Sequence, residues 1–254
     1  MIKRNRIKMT NGKRLNVIRL GDIHFPFADY KAVNVAMAAC RVIKPQIIVL
    51  DEIHDFYSLS RFDKDPKRIA SLQDELDEAT EFLRELRTDN KKARIILMDS
   101  NHLRRLRKYL WSKAPGLSSL RSLRLKELLE LEKWDVEYKD VFMFRDFLFK
   151  HGDIIRKFAA YTAKGEHEKE GVSGMSGHSH RIGQHYSRKR GGFYTWIESG
   201  CLCDLNPEYI EGVSDWQHAI GLVSFKWSSK HFVAYPIPIV DYQLLWADKT
   251  ILYK

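Results

Sequence analysis

Three short apolar runs near the start of the chain each end immediately before polar side chains that can carry chemistry. The runs span 15–20, 47–50 and 94–98, and Asp, Glu, Asn and His residues follow them. Proteins of the α/β class present functional residues in this way, at the carboxyl ends of their strands. A helical pattern over 30–42 lies between the first two runs, and Pro45 ends it before the second run. This part of the chain therefore predicts a β-α-β unit.

The middle of the chain is predicted to be helical, and the second half is predicted to be rich in strands. Apolar residues recur at steps of three and four over 66–86, which predicts one long amphipathic helix. A second helical region is predicted over 103–131, with a break at a Pro-Gly pair and leucines from position 117 onward packed in a core. Segments rich in Val, Ile, Phe, Tyr and Trp follow, at 136–150, 193–199, 218–227 and 231–239. No repeat or linker divides the chain, so we expect a single domain over 1–254 with a helical region at about 66–131.

Composition places the chain among folded proteins of the cell interior. Hydrophobic residues make up 44% and charged residues 30%, interleaved throughout, which excludes disordered, collagen-like and low-complexity classes. No apolar run is long enough to span a bilayer, and the basic start of the chain lacks the apolar stretch of a secretory signal. The cysteines Cys40, Cys201 and Cys203 are odd in number, which fits a reducing compartment. We expect a cytoplasmic protein with no membrane partner.

The charge balance is basic. Lys and Arg number 43 against 33 Asp and Glu, for a formal net charge of +10. Such an excess favours acidic partners such as nucleic acid or phosphorylated substrates, but it also occurs on surfaces that contact only solvent. The basic residues at 104–108 fit either interpretation.

Histidine, carboxylate and amide side chains are grouped along the sequence. Two residues spaced i, i+2 in extended or turn backbone point to the same side, so Asp22 with His24, and His178 with His180, can each bind a metal from one flank. Imidazole, carboxylate and amide ligands together favour Mn, Fe, Zn or Ni over Ca or Mg. The chain supplies enough such residues for two metal ions.

Five motifs occur in a fixed order, each after an apolar run. They are Gly-Asp-x-His at 21–24, an acidic block at 51–55, Asn-His at 101–102, His-Gly at 151–152 and Gly-His-x-His at 177–180. This order resembles the calcineurin-like metallophosphoesterase superfamily, and the neighbouring segments look like those of phage-encoded members. The resemblance covers about 15–205. It implies an α/β fold, a β-sandwich flanked by helices in four layers (αββα), with a dinuclear metal site at the sheet edges.

The resemblance also implies a set of metal ligands and two divalent metal ions, Mn first, with Fe, Zn or Ni as the other candidates. The ligands implied for one ion are Asp22, His24 and His180. Those implied for the other ion are Asn101, His151 and His178.

The carboxylate that bridges the two ions depends on the alignment register. The family pattern is Gly-Asp-x-x-Asp, whereas this chain reads Asp-Glu-Ile-His-Asp at 51–55. Aligned without a gap, Glu52 becomes the bridge and Asp55 the residue that pairs with the catalytic histidine, here His102. The alternative makes Asp51 the bridge and puts His54 in the place of the second aspartate. We favour Glu52, because Asp55 then falls where the family has the partner of its catalytic histidine.

The implied activity is hydrolysis of phosphoester bonds. Two cations activate water and neutralise the phosphate, while His102, oriented by Asp55, protonates the leaving oxygen as a general acid. Arg105 and Arg181 follow the histidine motifs and are expected to bind the substrate phosphate.

The substrate and the level of activity remain open at this stage. We expect a nuclease or phosphodiesterase acting on DNA or RNA, with a phosphomonoesterase on proteins or small molecules as the alternative, and the oligomeric state is undetermined. If the protein is phage-encoded, it acts in the host cytoplasm. Ser100 and Leu103 replace the glycine and the acidic residue that flank Asn-His in the family. A metal- or nucleic-acid-binding protein on the same fold that has lost turnover therefore stays a third hypothesis.

Overall fold

Thirteen strands and five helices make up the regular structure of the part of the chain that the computed structural model describes, residues 12–61, 64, 71–207, 210 and 212–253. The helices are α1 (Tyr30–Ile43), α2 (Leu72–Asp89), α3 (Leu103–Lys113), α4 (Leu125–Leu128) and α5 (Tyr161–Glu170). The first strands are β1 (Arg14–Leu20), β2 (Ile47–Asp51), β3 (Arg94–Met98), β4 (Val136–Lys139), β5 (Phe142–Phe144) and β6 (Phe147–Phe149). The others are β7 (Ser173–Ser176), β8 (Ile182–Lys189), β9 (Gly192–Ser199), β10 (Ala219–Lys226), β11 (Phe232–Pro238), β12 (Gln243–Trp246) and β13 (Lys249–Leu252).

Two mixed sheets carry most of the strands. The first has the order β11-β10-β1-β2-β3-β4, in which β1 to β4 run parallel and β10 and β11 are antiparallel additions. The second has the order β5-β6-β7-β9-β8, with β6, β7 and β9 parallel. The predicted β-α-β unit is confirmed, since β1 and β2 are parallel neighbours joined through α1. The hairpin β12-β13 forms a small separate sheet.

Three apolar clusters show how the layers stack. Residues such as Val49 and Ile96 of the first sheet pack with Phe147 and Ile197 of the second, so the two sheets face each other across a shared core. The opposite face of the first sheet packs against α1 and α2, while Trp196 on the outer face of the second sheet packs near Ala163 of α5. The layer order is therefore helix, sheet, sheet, helix, as the resemblance implied. A parallel strand has to be covered on both faces, and this arrangement covers it.

Helix α2 begins where local chemistry can satisfy its first N–H groups. Ser71 and Asp74 form a reciprocal capping box, and the apolar side of the helix turns its buried leucines to the core. The sequence predicted a helix from position 66, but residues 65–70 lie outside the described part of the chain. In the second predicted helical region, α3 ends at Lys113 and short 3₁₀ turns follow at Pro115–Leu117 and Arg121–Leu123.

The prediction that the leucines from 117 onward pack in the core is wrong for the first of them. Leu117 and Leu120 are 49% and 46% exposed, whereas Leu129 and Leu131 are buried. Each 3₁₀ turn is three residues long, which is too short to form a continuous apolar side that places the earlier leucines in the core. An apolar and basic surface results at this place.

No helix within the described ranges combines the length and the apolar composition needed to cross a bilayer. The expectation of a single domain over 1–254 stays a prediction.

Candidate metal centre

The five motifs meet because each one follows the carboxyl end of a strand. Asp22 and His24 come after β1, Glu52 after β2 and Asn101 after β3 in the first sheet. In the second sheet, His151 follows β6, and the motif with His178 and His180 follows β7. Parallel strands bring their carboxyl ends to one edge, and the two stacked sheets bring their edges together.

One group of side chains lies around Asp22 and His24. The Nε2 atoms of His24 and His180 are 3.1 Å apart, and Nε2 of His180 is 3.4 Å from Oδ1 of Asp22. Oε2 of Glu52 lies 3.9 Å from Nε2 of His24. All four residues are buried, so their polar atoms face one another with little access to solvent.

A second group lies around His151. Its Nε2 atom is 2.7 Å from Oδ1 of Asn101, 3.1 Å from Nδ1 of His178 and 2.6 Å from Oε2 of Glu52. The two groups therefore share a single side chain, Glu52, and the same oxygen of Glu52 faces both.

Asp51 and Glu52 have different surroundings, although they are adjacent in sequence. Arg19 contacts both oxygens of Asp51 at 2.5 and 2.6 Å, and Asp51 lies 3.5 Å from Nδ1 of His151. Glu52 instead reaches between the histidines, and its Oε1 accepts the backbone N–H of His102 at 2.9 Å. Because His102 lies at the amino end of α3, the helix dipole also favours a negative charge on Glu52. Glu52 therefore reaches both groups of side chains, and its role as the bridge stays a prediction.

Arg19 was not anticipated from the sequence. It is 1% exposed, and it bonds to Asp51, to Oδ2 of Asp22 at 2.8 Å and to the Ser199 hydroxyl at 2.6 Å. An arginine in the middle of the apolar run 15–20 was the available signal, because a buried cation needs a partner. Burial works against its charge, but Asp51 and Asp22 outweigh that effect and raise the pKa of Arg19. Arg19 fixes two carboxylates behind the histidine cluster.

Two glycines make room for this ion pair. A Cβ at Gly21 would collide with Asp51 and Arg19, and one at Gly177 would collide with Asp22 and Arg19. The glycines of the first and last motifs are therefore required by close approach.

His102 lies beside the first group, in contact with an aspartate and an arginine. Its Nδ1 is 2.8 Å from Oδ2 of Asp55, and Nη2 of Arg105 is 2.8 Å from its Nε2. Arg105 also bonds to the Asp55 carboxylate and, at 2.9 Å, to the Asp55 carbonyl. The same Oδ2 of Asp55 lies 3.1 Å from Nδ1 of His24. Asp55 therefore orients two histidines rather than one.

Other positions singled out in the sequence have different surroundings. His54 is fully buried with its ring tilted by 32° against that of Phe56, and burial lowers the pKa of His54 to about 3. Leu103 packs in the core, where the family has an acidic residue. Arg181 donates at 2.7 Å to each of the carbonyls of Lys157 and Arg156, so both outer nitrogens hold backbone, and its role as a phosphate contact stays a prediction.

Five of the candidate ligands have strained backbone. Asp22, His24, Glu52, His178 and His180 all have positive φ angles, between 43° and 66°. Residues with side chains rarely adopt this region, and each such residue costs on the order of 1 kcal/mol or more. Strain of this kind is typical of functional sites whose side chains must point at one place.

The electrostatics of the cluster favour positive charge among the candidate ligands. Burial raises the pKa of Glu52, but the imidazoles of His151 and His102 outweigh burial and hold this pKa well below its usual range. Burial, together with nearby His151, lowers the pKa of His178 to about 4, so His178 is neutral at neutral pH. Burial also opposes a charge on His151, yet Glu52 and Asp51 raise its pKa well above the ordinary value. The position thus attracts positive charge, as a cation site should.

The donor set fits divalent transition metals. In each group two imidazole nitrogens face each other at 3.1 Å, a distance at which two acceptors repel unless a proton or a cation lies between them. Two ligands of one ion at about 2.1 Å each are separated by roughly 3 to 3.4 Å. Imidazole nitrogens with carboxylate and amide oxygens suit Mn, Fe, Zn or Ni.

Cys203 extends the first group and was not assigned from the sequence. Its Sγ lies 3.7 Å from Nδ1 of His180, and burial first of all raises the pKa of the thiol well above its ordinary value. The ligand atoms of His24, His180 and Cys203 all lie within 4.8 Å of one another, so the thiol is a possible third ligand beside these two histidines.

The sequence matches no protein-family model and no curated protein. Solved structures do show similarity to this chain. Vacuolar Protein Sorting 29 from Cryptosporidium parvum is 12% identical, with a TM-score of 0.47 over 94% of this chain and 99% of that one. Vps29 from Chaetomium thermophilum is 10% identical, with a TM-score of 0.42 over 89% and 86%. A phosphatase from Mycoplasma pneumoniae is 12% identical, with a TM-score of 0.38 over 90% and 95%. At these identities the residues of the site itself have to carry any assignment of function.

The resemblance to phage-encoded proteins in particular stays a prediction. The layer order, the two facing sheets and the convergence of the five motifs at their edges are features of the molecule itself. The chain has a four-layer α/β fold, in which two facing sheets are flanked by helices, and candidate metal sites lie at the edges of the sheets.

Proposed function

We propose that the protein is a metal-dependent phosphoesterase. The observation that carries the proposal is the pair of ligand groups that share Glu52 beside the paired side chains of His102 and Asp55. A phosphoester hydrolase on this plan needs such a cation site and a proton donor within reach of it, and the chain provides both.

Each residue has a proposed role. Asp22, His24 and His180 would hold one ion and Asn101, His151 and His178 the other, with Glu52 within reach of both groups. Asp51 is proposed as a support, because Arg19 occupies its carboxylate. Bound as a pair, divalent ions lower the pKa of water and neutralise charge on phosphate oxygens.

His102 is proposed to donate a proton to the leaving oxygen from Nε2. Asp55 contacts Nδ1 at 2.8 Å, which fixes the orientation of the ring. Arg105 now contacts Nε2, and a bound phosphate would attract the same guanidinium, since planar arginine forks bind phosphate oxygens well. Arg105 is therefore the proposed phosphate contact.

The proposal also covers the metal and the substrate. Mn is the proposed metal and a phosphodiester of nucleic acid the proposed substrate, with phosphomonoesters of proteins or small molecules as the alternative. The basic charge and the surface along α3 support the nucleic acid.

Hydrolysis of a bis-aryl phosphodiester and of an aryl monoester with added Mn tests the function. We expect metal-dependent turnover that EDTA abolishes, a loss of activity in His151→Ala, and no change in His231→Asn, a surface histidine outside the site. Metal bound at full stoichiometry with no turnover on either ester, with any of the four metals, would refute the phosphoesterase and favour a binding protein on this fold.

A further inference from the structure

A groove of about 410 Å³ lies along α3, outside the candidate metal centre. Helix α3 forms one wall, residues of the 118–126 segment form the other, and Tyr138 of β4 also lines it. The first residues of the wall, Leu103 and Arg104, directly follow the Asn101–His102 motif. The groove therefore begins beside the centre and runs along a helix about 16 Å long.

The groove is strongly basic. Between Leu103 and Lys126 the sequence has eight Lys or Arg residues and no Asp or Glu, against a formal net charge of +10 for the whole chain. The cations that line the groove are Arg104, Arg107, Arg124 and Lys126. The structure describes every residue of the lining, and Asp99 is the one acidic residue among them. Its Oδ2 lies 3.5 Å from Nε of Arg104. A polyanion is the complementary partner.

Aromatic and apolar side chains lie among these cations. Trp111 is 62% exposed, and the guanidinium of Arg107 lies 5.4 Å above its ring. Tyr138 is 38% exposed and donates its hydroxyl to Asp99 at 2.7 Å. Exposed aromatic rings between cations are the arrangement on which the bases of a single strand stack while its phosphates contact Lys and Arg.

We propose that this groove binds a single-stranded nucleic acid and leads it toward the metal centre. Membrane-surface segments present a convex helix to a flat bilayer, whereas these cations line the two walls of a concavity, which a strand can enter. The choice of occupant rests on the proposed phosphoesterase function, because Arg105 of the same helix contacts His102 of that site.

Fluorescence anisotropy with a fluorescein-labelled oligothymidylate tests the groove. Binding is measured over a series of salt concentrations. EDTA is present throughout, so that the measurement does not depend on turnover. The double variant Arg107→Ala with Arg124→Ala removes one cation from each wall, and Lys189→Ala with Arg190→Ala removes the same charge from the exposed turn between β8 and β9. Each lost phosphate contact lowers the salt slope of a single strand by about 0.7, so the groove variant should lose about 1.4 and the turn variant should keep the wild-type slope.

The aromatic contact has its own control. Loss of one stacked base weakens binding about 5- to 150-fold, which we expect for Trp111→Ala and not for Phe193→Ala, an exposed aromatic on β9. The inference is overturned if the wild-type protein does not bind the oligonucleotide at low salt, or if both double variants weaken it equally. It is likewise overturned if vesicles with anionic lipid bind in place of the oligonucleotide and show the same dependence on Arg107 and Arg124.

The outcome separates this inference from the proposed function. Binding through the groove with no phosphoester hydrolysis would support the groove and refute the phosphoesterase. Hydrolysis of aryl esters with no oligonucleotide binding would leave the phosphoesterase in place and refute the groove.

Discussion

Replacing Asp51 with Asn should destabilise the fold and leave metal binding in place, whereas replacing Glu52 with Gln should abolish metal binding. The two residues are neighbours, but their carboxylates face different partners. Asp51 pairs with Arg19 inside the protein, and Glu52 contacts the histidines. Stability and metal binding should therefore respond separately.

The expected loss of unfolding free energy in Asp51→Asn follows from the burial of the ion pair. Arg19 and Asp51 are 1% and 0% exposed, and breaking a buried ion pair by removing one partner costs about 3–5 kcal/mol. Asn keeps one acceptor and Asp22 remains in contact with Arg19, so we expect the lower end, about 3 kcal/mol. For a chain of this size that lowers the Tm by roughly 6–12 °C.

Glu52→Gln also breaks a buried ion pair, with His151 at 2.6 Å, so its Tm in EDTA should fall as well, and its response to added metal is what distinguishes it from Asp51→Asn. At a hundredfold excess over Kd, a bound ion stabilises the folded state by about 2.7 kcal/mol, which raises the Tm by roughly 5–11 °C. The wild-type protein and Asp51→Asn should both show this rise with Mn, and Glu52→Gln should not.

Thermal unfolding followed by circular dichroism, in EDTA and then with Mn, measures both effects, and elemental analysis gives the metal content. If Asp51→Asn loses the Mn-dependent rise while Glu52→Gln keeps it, Asp51 is the bridge and the gap-free register is wrong.

Three further predictions concern the residues behind the site. His102→Asn should retain both metals and slow hydrolysis of esters with poor leaving groups about 10²–10⁴-fold. Asp55→Asn should in addition weaken metal binding about 10–100-fold, because Asp55 orients His24 as well as His102. Titration with Mn measures the metal binding, and rates on a series of esters with different leaving groups measure the hydrolysis. Burial raises the pKa of Glu75 to about 7, although backbone N–H donors act in the opposite direction. Protonated Glu75 therefore stabilises the fold, and this contribution is fully present below pH 4.5 and is lost as the pH rises through about 7. Glu75→Gln should flatten that loss in urea unfolding at pH 5 and pH 8, and parallel losses would contradict the assignment. Gly177→Ala should lower the Tm by several degrees through collision with the ion pair, while Gly116→Ala, where a Cβ meets nothing within 4 Å, should leave it almost unchanged.

Much of the fold could be predicted because the informative features are local in sequence. Strands β1, β2 and β3 are short apolar runs with polar residues at their ends, and α1 and α2 have regular apolar spacing. Their order fixed the parallel unit and placed the motifs at its edge. Segments rich in Val, Ile and aromatic residues predicted the strands of the second half, and the family resemblance implied the four layers.

Other features depend on contacts between distant parts of the chain. Helix α5 has no regular apolar side; it packs through Ala163 near Trp196, and Glu166 accepts the N–H groups of Asp153 and Ile154. The pairing of Arg19 with Asp51 likewise joins residues on neighbouring strands, so neither local pattern revealed it.

The alignment register of the acidic block was open in the sequence for a physical reason. Asp51 and Glu52 are both carboxylates after the same strand, and only the direction of each side chain distinguishes them. The end of β2 directs Asp51 toward Arg19, and the positive φ of Glu52 turns the next side chain toward the histidines. Composition and spacing do not contain that information.

Anomalous diffraction from crystals loaded with Mn tests the central claim most directly. The account predicts two peaks about 4 Å apart, each within roughly 2.0–2.3 Å of its ligand atoms and both in contact with Glu52. The residues around the first peak should be Asp22, His24 and His180, and those around the second Asn101, His151 and His178. A map with no peak, with one peak held by His24, His180 and Cys203, or with Glu52 outside both coordination spheres would contradict the shared two-metal centre.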